Sequence, residues 1–321
     1  MNPGRPNSWR LRLWMLTLAL LAAHAVPAAG TAEEQAIPSR LAVKSLLVDA
    51  ARADGRLVAV GEWGHVLLSD DSGGSWRQAE SVPTRVTLTD VIFADARRGW
   101  AVGHDAVVIH TRDGGETWEL QHQAPEEEQP LLSVWFEDAQ HGLAAGAFSL
   151  LIETKDGGET WQRRPLTSNP DEDYHLNAIF RGPGNALFIA AEFGSIYRSL
   201  DSGASWERLH PPYDGSFWGG ITLDEEAFLV FGMRGHVFRS KDLGETWQEL
   251  DSGTDQSIQS AIVRADGTVV LVGLGGAVLT SSDGGRSFSA AIEPDRRGIA
   301  AATEGVNGTL LLFGETGVKT R

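Results

Sequence analysis

Thr111-Arg112-Asp113-Gly114-Gly115-Glu116-Thr117-Trp118 has the composition of a tight hairpin turn closed by an aromatic ring. An Asp carboxylate accepts hydrogen bonds from turn amides, a hydroxyl two positions earlier supplies another local bond, and Gly takes a positive φ at little steric cost. The closing Trp is placed to tuck under the hairpin. The pattern Ser/Thr-x-Asp-x-Gly-x-x-Trp/Phe, an Asp box, occurs six times. Its aspartates, Asp71, Asp113, Asp156, Asp201, Asp242 and Asp283, are spaced 42, 43, 45, 41 and 41 residues apart. A fixed period near 40 residues marks stacked supersecondary units. The alternating acidic positions and closing Glu of a calcium loop are missing, so these aspartates are structural rather than metal ligands. Five of the eleven tryptophans stand in the boxes, which fits repeated packing.

Working outward, each box follows a second repeated feature: an apolar run, a short Gly-containing turn and another apolar run. Leu57-Val58-Ala59-Val60-Gly61-Glu62-Trp63-Gly64 is the first instance and Leu310-Leu311-Leu312-Phe313-Gly314-Glu315-Thr316-Gly317 the seventh. A further apolar segment precedes each run, such as Leu88 to Phe93, Leu131 to Phe136 or Leu176 to Phe180, giving four strands per unit. Seven four-stranded units repeated radially predict an all-β, seven-bladed β-propeller occupying residues 31–321 as one domain. The seventh unit stops at Arg321, where its box should follow. Residues Ile37 to Val43 are therefore expected to pair with the last strand, closing the ring through the N- and C-terminal strands.

Arg5, Arg10 and Arg12 precede an apolar run from Leu13 to Ala25 and the small residues Val26 to Gly30, so residues 1–30 read as a cleavable secretory signal. The run is shorter than the roughly 18 residues a spanning helix needs, which predicts no membrane anchor after cleavage. A periplasmic or otherwise exported location follows. With no cysteine there are no disulfides, thiolate metal sites or catalytic thiols. The whole chain carries a formal charge of −16, and residues 31–321 about −19, which argues against nucleic acid or an anionic membrane as partner.

The motif Thr-x-Asp-Gly-Gly-Glu-Thr-Trp at Thr111 and Thr154, each preceded by a Gly-containing turn and an apolar strand, resembles the photosystem II stability and assembly factor family, built from bacterial neuraminidase (BNR) repeats. The resemblance spans nearly all of residues 31–321. It implies a non-enzymatic propeller on the lumenal or periplasmic side of a membrane that helps membrane-protein subunits assemble. Two departures stand out. The family's arginine patch has only Arg234 among the seven short turns, and a chain without cysteine cannot carry the lipid anchor of some members.

Antiparallel strands alternate in direction, so the boxes, joining third to fourth strands, fall on one face. The turns between second and third strands and the crossovers between blades fall on the other. That face gathers Trp63, His104, Phe148, Phe193 and Arg234 from the turns, and Tyr174, Tyr213 and Trp218 from the long crossovers. Exposed aromatics among acidic residues make a protein-binding rim, for a subunit of an envelope or membrane complex bound by a monomer. The bland counterpart is that acidic loops keep a protein soluble and turn aromatics pack on neighbouring blades. No cofactor is expected, and no spacing of His104, His175 and His210 marks a metal site.

The alternative is a sialidase-like glycosidase, since related propellers hydrolyse glycosidic bonds. Ile37-Pro38-Ser39-Arg40 lacks the order of the first sialidase arginine motif, and only Tyr174, Tyr197 and Tyr213 are available as nucleophile. G-x-S-x-G and H-E-x-x-H are absent. No catalytic residue is assigned.

Overall fold

A computed structural model describes Met1, residues 35–167 and residues 173–321. Apart from Met1, the signal segment lies outside the described residues, as do Asp171 and Glu172 of the third crossover. Seven antiparallel sheets follow one another along residues 47–78, 88–122, 131–163, 176–209, 217–250, 258–292 and 299–320. Within each, strands pair in chain order, so every blade is a meander. The apolar runs flanking the Gly turns become second and third strands. In blade 5 these are Phe228–Gly232 and Val237–Ser240, buried along their whole length because blades cover both faces. Innermost strands stand side by side around a channel, and Leu47–Ala53 of blade 1 meets Ile299–Glu304 of blade 7 to complete the ring. The molecule is an all-β, seven-bladed propeller.

The boxes form as their chemistry dictates, with one addition. In box 2, Asp113 accepts from the Thr111 hydroxyl at 2.8 Å, the Thr117 amide at 3.0 Å and the Thr117 hydroxyl at 2.6 Å, while Gly115 donates its amide to Thr111 Oγ1 at 2.9 Å. The other five repeat this pattern, with Ser75, Thr160, Ser205, Thr246 or Ser287 in the place of Thr117. Bonds from the Ser75 amide and hydroxyl hold the Asp71 carboxyl down to about 2.

Each box aromatic also enters the junction with the preceding blade. Trp118 joins the cluster of Val58, Leu68 and Ile109 between blades 1 and 2, and Trp76 meets Phe313 of blade 7 edge-on at 5.7 Å. Trp161, Trp206, Trp247 and Phe288 serve the next four junctions. Between blades 6 and 7, Val270, Val272, Ile299, Leu310 and Leu312 pack without a box aromatic among the described residues.

Ring closure departs from expectation. Blade 7 has three strands among the described residues, Ile299–Glu304, Leu310–Gly314 and Gly317–Thr320, and Ile37 to Val43 pair with none of them. Ala36 instead donates to the Val82 carbonyl, Ser39 to Gln78 Oε1 and Arg85 to the Gln35 carbonyl, which fasten this segment along blade 1. Pro38 also lacks the amide hydrogen a ladder needs. The chain then turns at Ala42–Lys44, over Gly317, and closure rests on Ala42, Leu47 and Leu57 packed against Ala301, Leu311 and Phe313.

Candidate functional site: the crossover rim

In the first six blades the turn between second and third strands is closed by an amide-to-carbonyl bond three residues apart or by the same backbone course, with two successive residues at positive φ. Such a type I′ turn matches strand twist and is ordinarily filled by Asn-Gly or Gly-Gly. Here the first left-handed position holds Trp63 (φ 59°), Asp105 (58°), Phe148 (55°), Phe193 (52°), Arg234 (54°) and Gly275 (62°). The second must be Gly in blade 4, because a Cβ on Gly194 would lie 1.9 Å from the Tyr213 carbonyl oxygen.

Crossovers clamp these turns from outside. Ala124 donates to the Asp105 carbonyl, Ser149 to that of Tyr174 and Gly194 to that of Gly215, each at 2.8–2.9 Å. Turns and crossovers thus share one face, as strand direction requires. Over blades 3 and 4 the clamps assemble a continuous aromatic arc. Phe148 meets His175 edge-on at 5.0 Å, Tyr174 meets Phe193 at 5.3 Å, and the Arg208 guanidinium lies 5.2 Å over the Tyr174 ring. Phe148 is 46% exposed, Phe193 64% and, one arc away on blade 1, Trp63 65%. His104 and Arg234 are exposed on the same rim.

Two rim residues are not presented as expected. Tyr213 is half-buried as a brace, donating its hydroxyl to the Met233 carbonyl at 3.2 Å and packing on Phe217 and His236. Trp218 is not in the crossover: it is the second residue of the inner strand Phe217–Thr222 and faces the channel. Its neighbour Phe217 takes the core side, and alternation along a strand sends Trp218 to the opposite one.

The channel holds a cavity of about 410 Å³ whose wall includes Asp49, Asp90, Ser133, Asn177 and Trp218. Most of its polar side chains are committed to joining blades: Asp49 accepts the Val91 amide at 3.1 Å, Asp90 that of Val134 at 2.8 Å, and Ser133 that of Ile179 at 3.0 Å. Burial, and then Asp90 beside it, push the Asp49 carboxyl well above the usual range. These latches were invisible in sequence because each spans about 42 to 46 residues; their signal is a polar residue recurring at one position of the inner strand. Of the three tyrosines, Tyr197 is buried within blade 4, Tyr174 lies beneath Arg208 and Tyr213 serves as a brace. No group of three or more His, Cys, Asp or Glu side chains is placed to hold a metal among the described residues.

A model of the photosynthesis system II assembly factor YCF48 family matches residues 74–131 and 121–272, from the first box to the second strand of blade 6. The chain belongs to the YCF48 family. The photosystem II assembly protein Ycf48 of Thermosynechococcus vestitus is 43% identical over 133 residues, 41% of this chain and 38% of that protein. The assembly lipoprotein Ycf48 of Parasynechococcus marenigrum is 42% identical over 134 residues, 41% and 39% of the two chains. The chain thus matches about two fifths of the length of these relatives. A solved YCF48 bound to a D1 peptide shares the fold with a TM-score of 0.70 at 18% identity, covering 89% of this chain and 94% of that one. Streptogramin B lyase shares it equally, with a TM-score of 0.72 at 14% identity over 90% and 96%, so the propeller by itself does not decide function. Phe148 and Phe193 lie within the stretch matched to the YCF48 family, and Trp63 lies before it.

Proposed function

We propose that this protein is an exported, non-enzymatic assembly factor whose crossover face holds a segment of an envelope or membrane-protein subunit. One observation carries this: Trp63, Phe148 and Phe193 each combine a left-handed backbone with a solvent-facing ring. A non-glycine residue held there costs on the order of 1 kcal/mol or more, and an exposed ring returns little to folding. Gly275 shows that the same turn closes without a side chain. Binding accounts for both features. A fixed backbone sets the direction in which each ring leaves the chain, which lowers the ordering cost of association, and aromatic residues dominate interface hot spots. Membership of the YCF48 family supports the reading, as does the peptide held by the YCF48 of similar fold. Relatives named lipoproteins accord with work at a membrane surface.

Photo-cross-linking from position 193 in the native envelope, followed by mass spectrometry, tests the proposal. The expected product is a segment of an envelope or membrane protein, with little yield from position 200, a 65% exposed leucine on the box face. Equal or greater capture from position 200 would move the site to the other face.

A further inference from the structure

Resting on that reading of the rim, we infer that the segment held by the aromatic arc is cationic: an extended stretch bearing Lys or Arg between apolar residues. The crossovers that clamp the turns of blades 2 to 4 also carry carboxylates. Glu126 and Glu128 are exposed on the crossover from blade 2, Asp173 immediately precedes Tyr174, and Asp214 belongs to the crossover clamping Phe193. None of these four forms an ion pair among the described residues. The cations nearby are already engaged: Arg163 with Glu127 at 2.8 Å, and Arg208 over Tyr174. Elsewhere the rim is mixed, with Arg234, Arg296 and Arg297 among Asp251, Asp255, Asp295 and Glu315. Among the described residues the unpaired Asp251 and Asp255 there are matched by the unpaired Arg234 and Arg296, whereas the unpaired carboxylates beside Phe148 and Phe193 have no such match.

Such a surface suits a cation in two ways. Carboxylates draw it in and set the register, and the open faces of Phe148 and Phe193 receive both its aliphatic stem and its charge. An anionic segment of equal apolar content meets the same rings but is repelled by the rim.

The test uses the full-length protein and three synthetic decapeptides of identical apolar content, with Lys, Ser or Glu at the variable positions. Isothermal titration at 50 mM and 500 mM salt measures binding. The Lys peptide should bind at least tenfold more tightly than the Glu peptide at low salt, and this preference should shrink several-fold at high salt, because exposed charges are screened. Asp173→Lys combined with Asp214→Lys should reduce or reverse the preference, with the melting temperature confirming the fold. Equal binding of Lys and Glu peptides, or a preference unchanged by the double reversal, would overturn the inference. If Phe193→Gly abolishes binding of all three peptides while charge reversal has no effect, the aromatic rim stands and its cation selectivity falls. If charge reversal abolishes binding while Phe193→Gly and Phe148→Gly do not, the aromatic reading fails and the charge remains.

Discussion

Phe193 sits where a glycine would close the turn with less strain, and this gives a test that separates binding from folding. Phe193→Gly should leave the melting temperature unchanged or slightly raised, since relief of the left-handed strain offsets the added freedom of the unfolded chain. Client affinity should fall about tenfold or more, as for a hot-spot aromatic. Calorimetry and titration on one sample check both; a large loss of stability would show the ring to be structural. Asp156 behaves oppositely. It accepts from the Thr154 hydroxyl at 2.8 Å, the Thr160 amide at 2.9 Å and the Thr160 hydroxyl at 2.7 Å. Asp156→Ala should destabilise by on the order of 1–2 kcal/mol in chemical denaturation while binding persists. The box roles of Ser/Thr, Asp and Gly were legible because one turn contains all their partners. The hydroxyl four residues after each Asp was equally present in all six boxes, yet only the bonds it makes show its use.

Among the elements, strands and turns could be read closely, since Leu88–Phe93 and Leu131–Phe136 form as their apolar runs predict. Ile37 to Val43 could not, because the side chain of Gln78, 39 residues away, captures it at Ser39. The third strand of blade 2 carries a second long-range feature. His110 is buried with neither ring nitrogen hydrogen-bonded among the described residues, stacked 4.7 Å from Trp100, and burial followed by the charges of Arg112 and Arg98 lowers its pKa to about 4. The unfolded chain binds that proton near pH 6.5, so between about 4 and 6.5 it holds more protons than the folded one. Stability from this residue is complete above that window and is lost as pH drops through it. His110→Phe should flatten the melting temperature across pH 4 to 6.5; an unchanged slope would assign acid sensitivity elsewhere. The junction of blades 6 and 7, lacking a box aromatic, should open first. Amides of Leu310–Gly314 should then exchange faster than those of Phe228–Gly232 in native-state hydrogen exchange.

For the molecule as a whole, seven blades give two faces with different burdens. The box face carries turns that hold hairpins and junctions together, while the crossover face carries rings that the fold does not bury. Strand alternation allowed most of that division to be drawn from the chain's direction. It misplaced Trp218 because the start of an inner strand cannot be located to one residue by an apolar run, and a single step decides between rim and channel. The central claim is that Trp63, Phe148 and Phe193 serve a partner rather than the fold. The most direct measurement is client cross-linking in the native envelope by the wild-type protein and by the triple variant Trp63→Gly, Phe148→Gly, Phe193→Gly, with melting temperature recorded on the same preparations. The expected result is capture reduced to about a tenth or less, at an equal or higher melting temperature. Undiminished capture by the folded triple variant would contradict the claim.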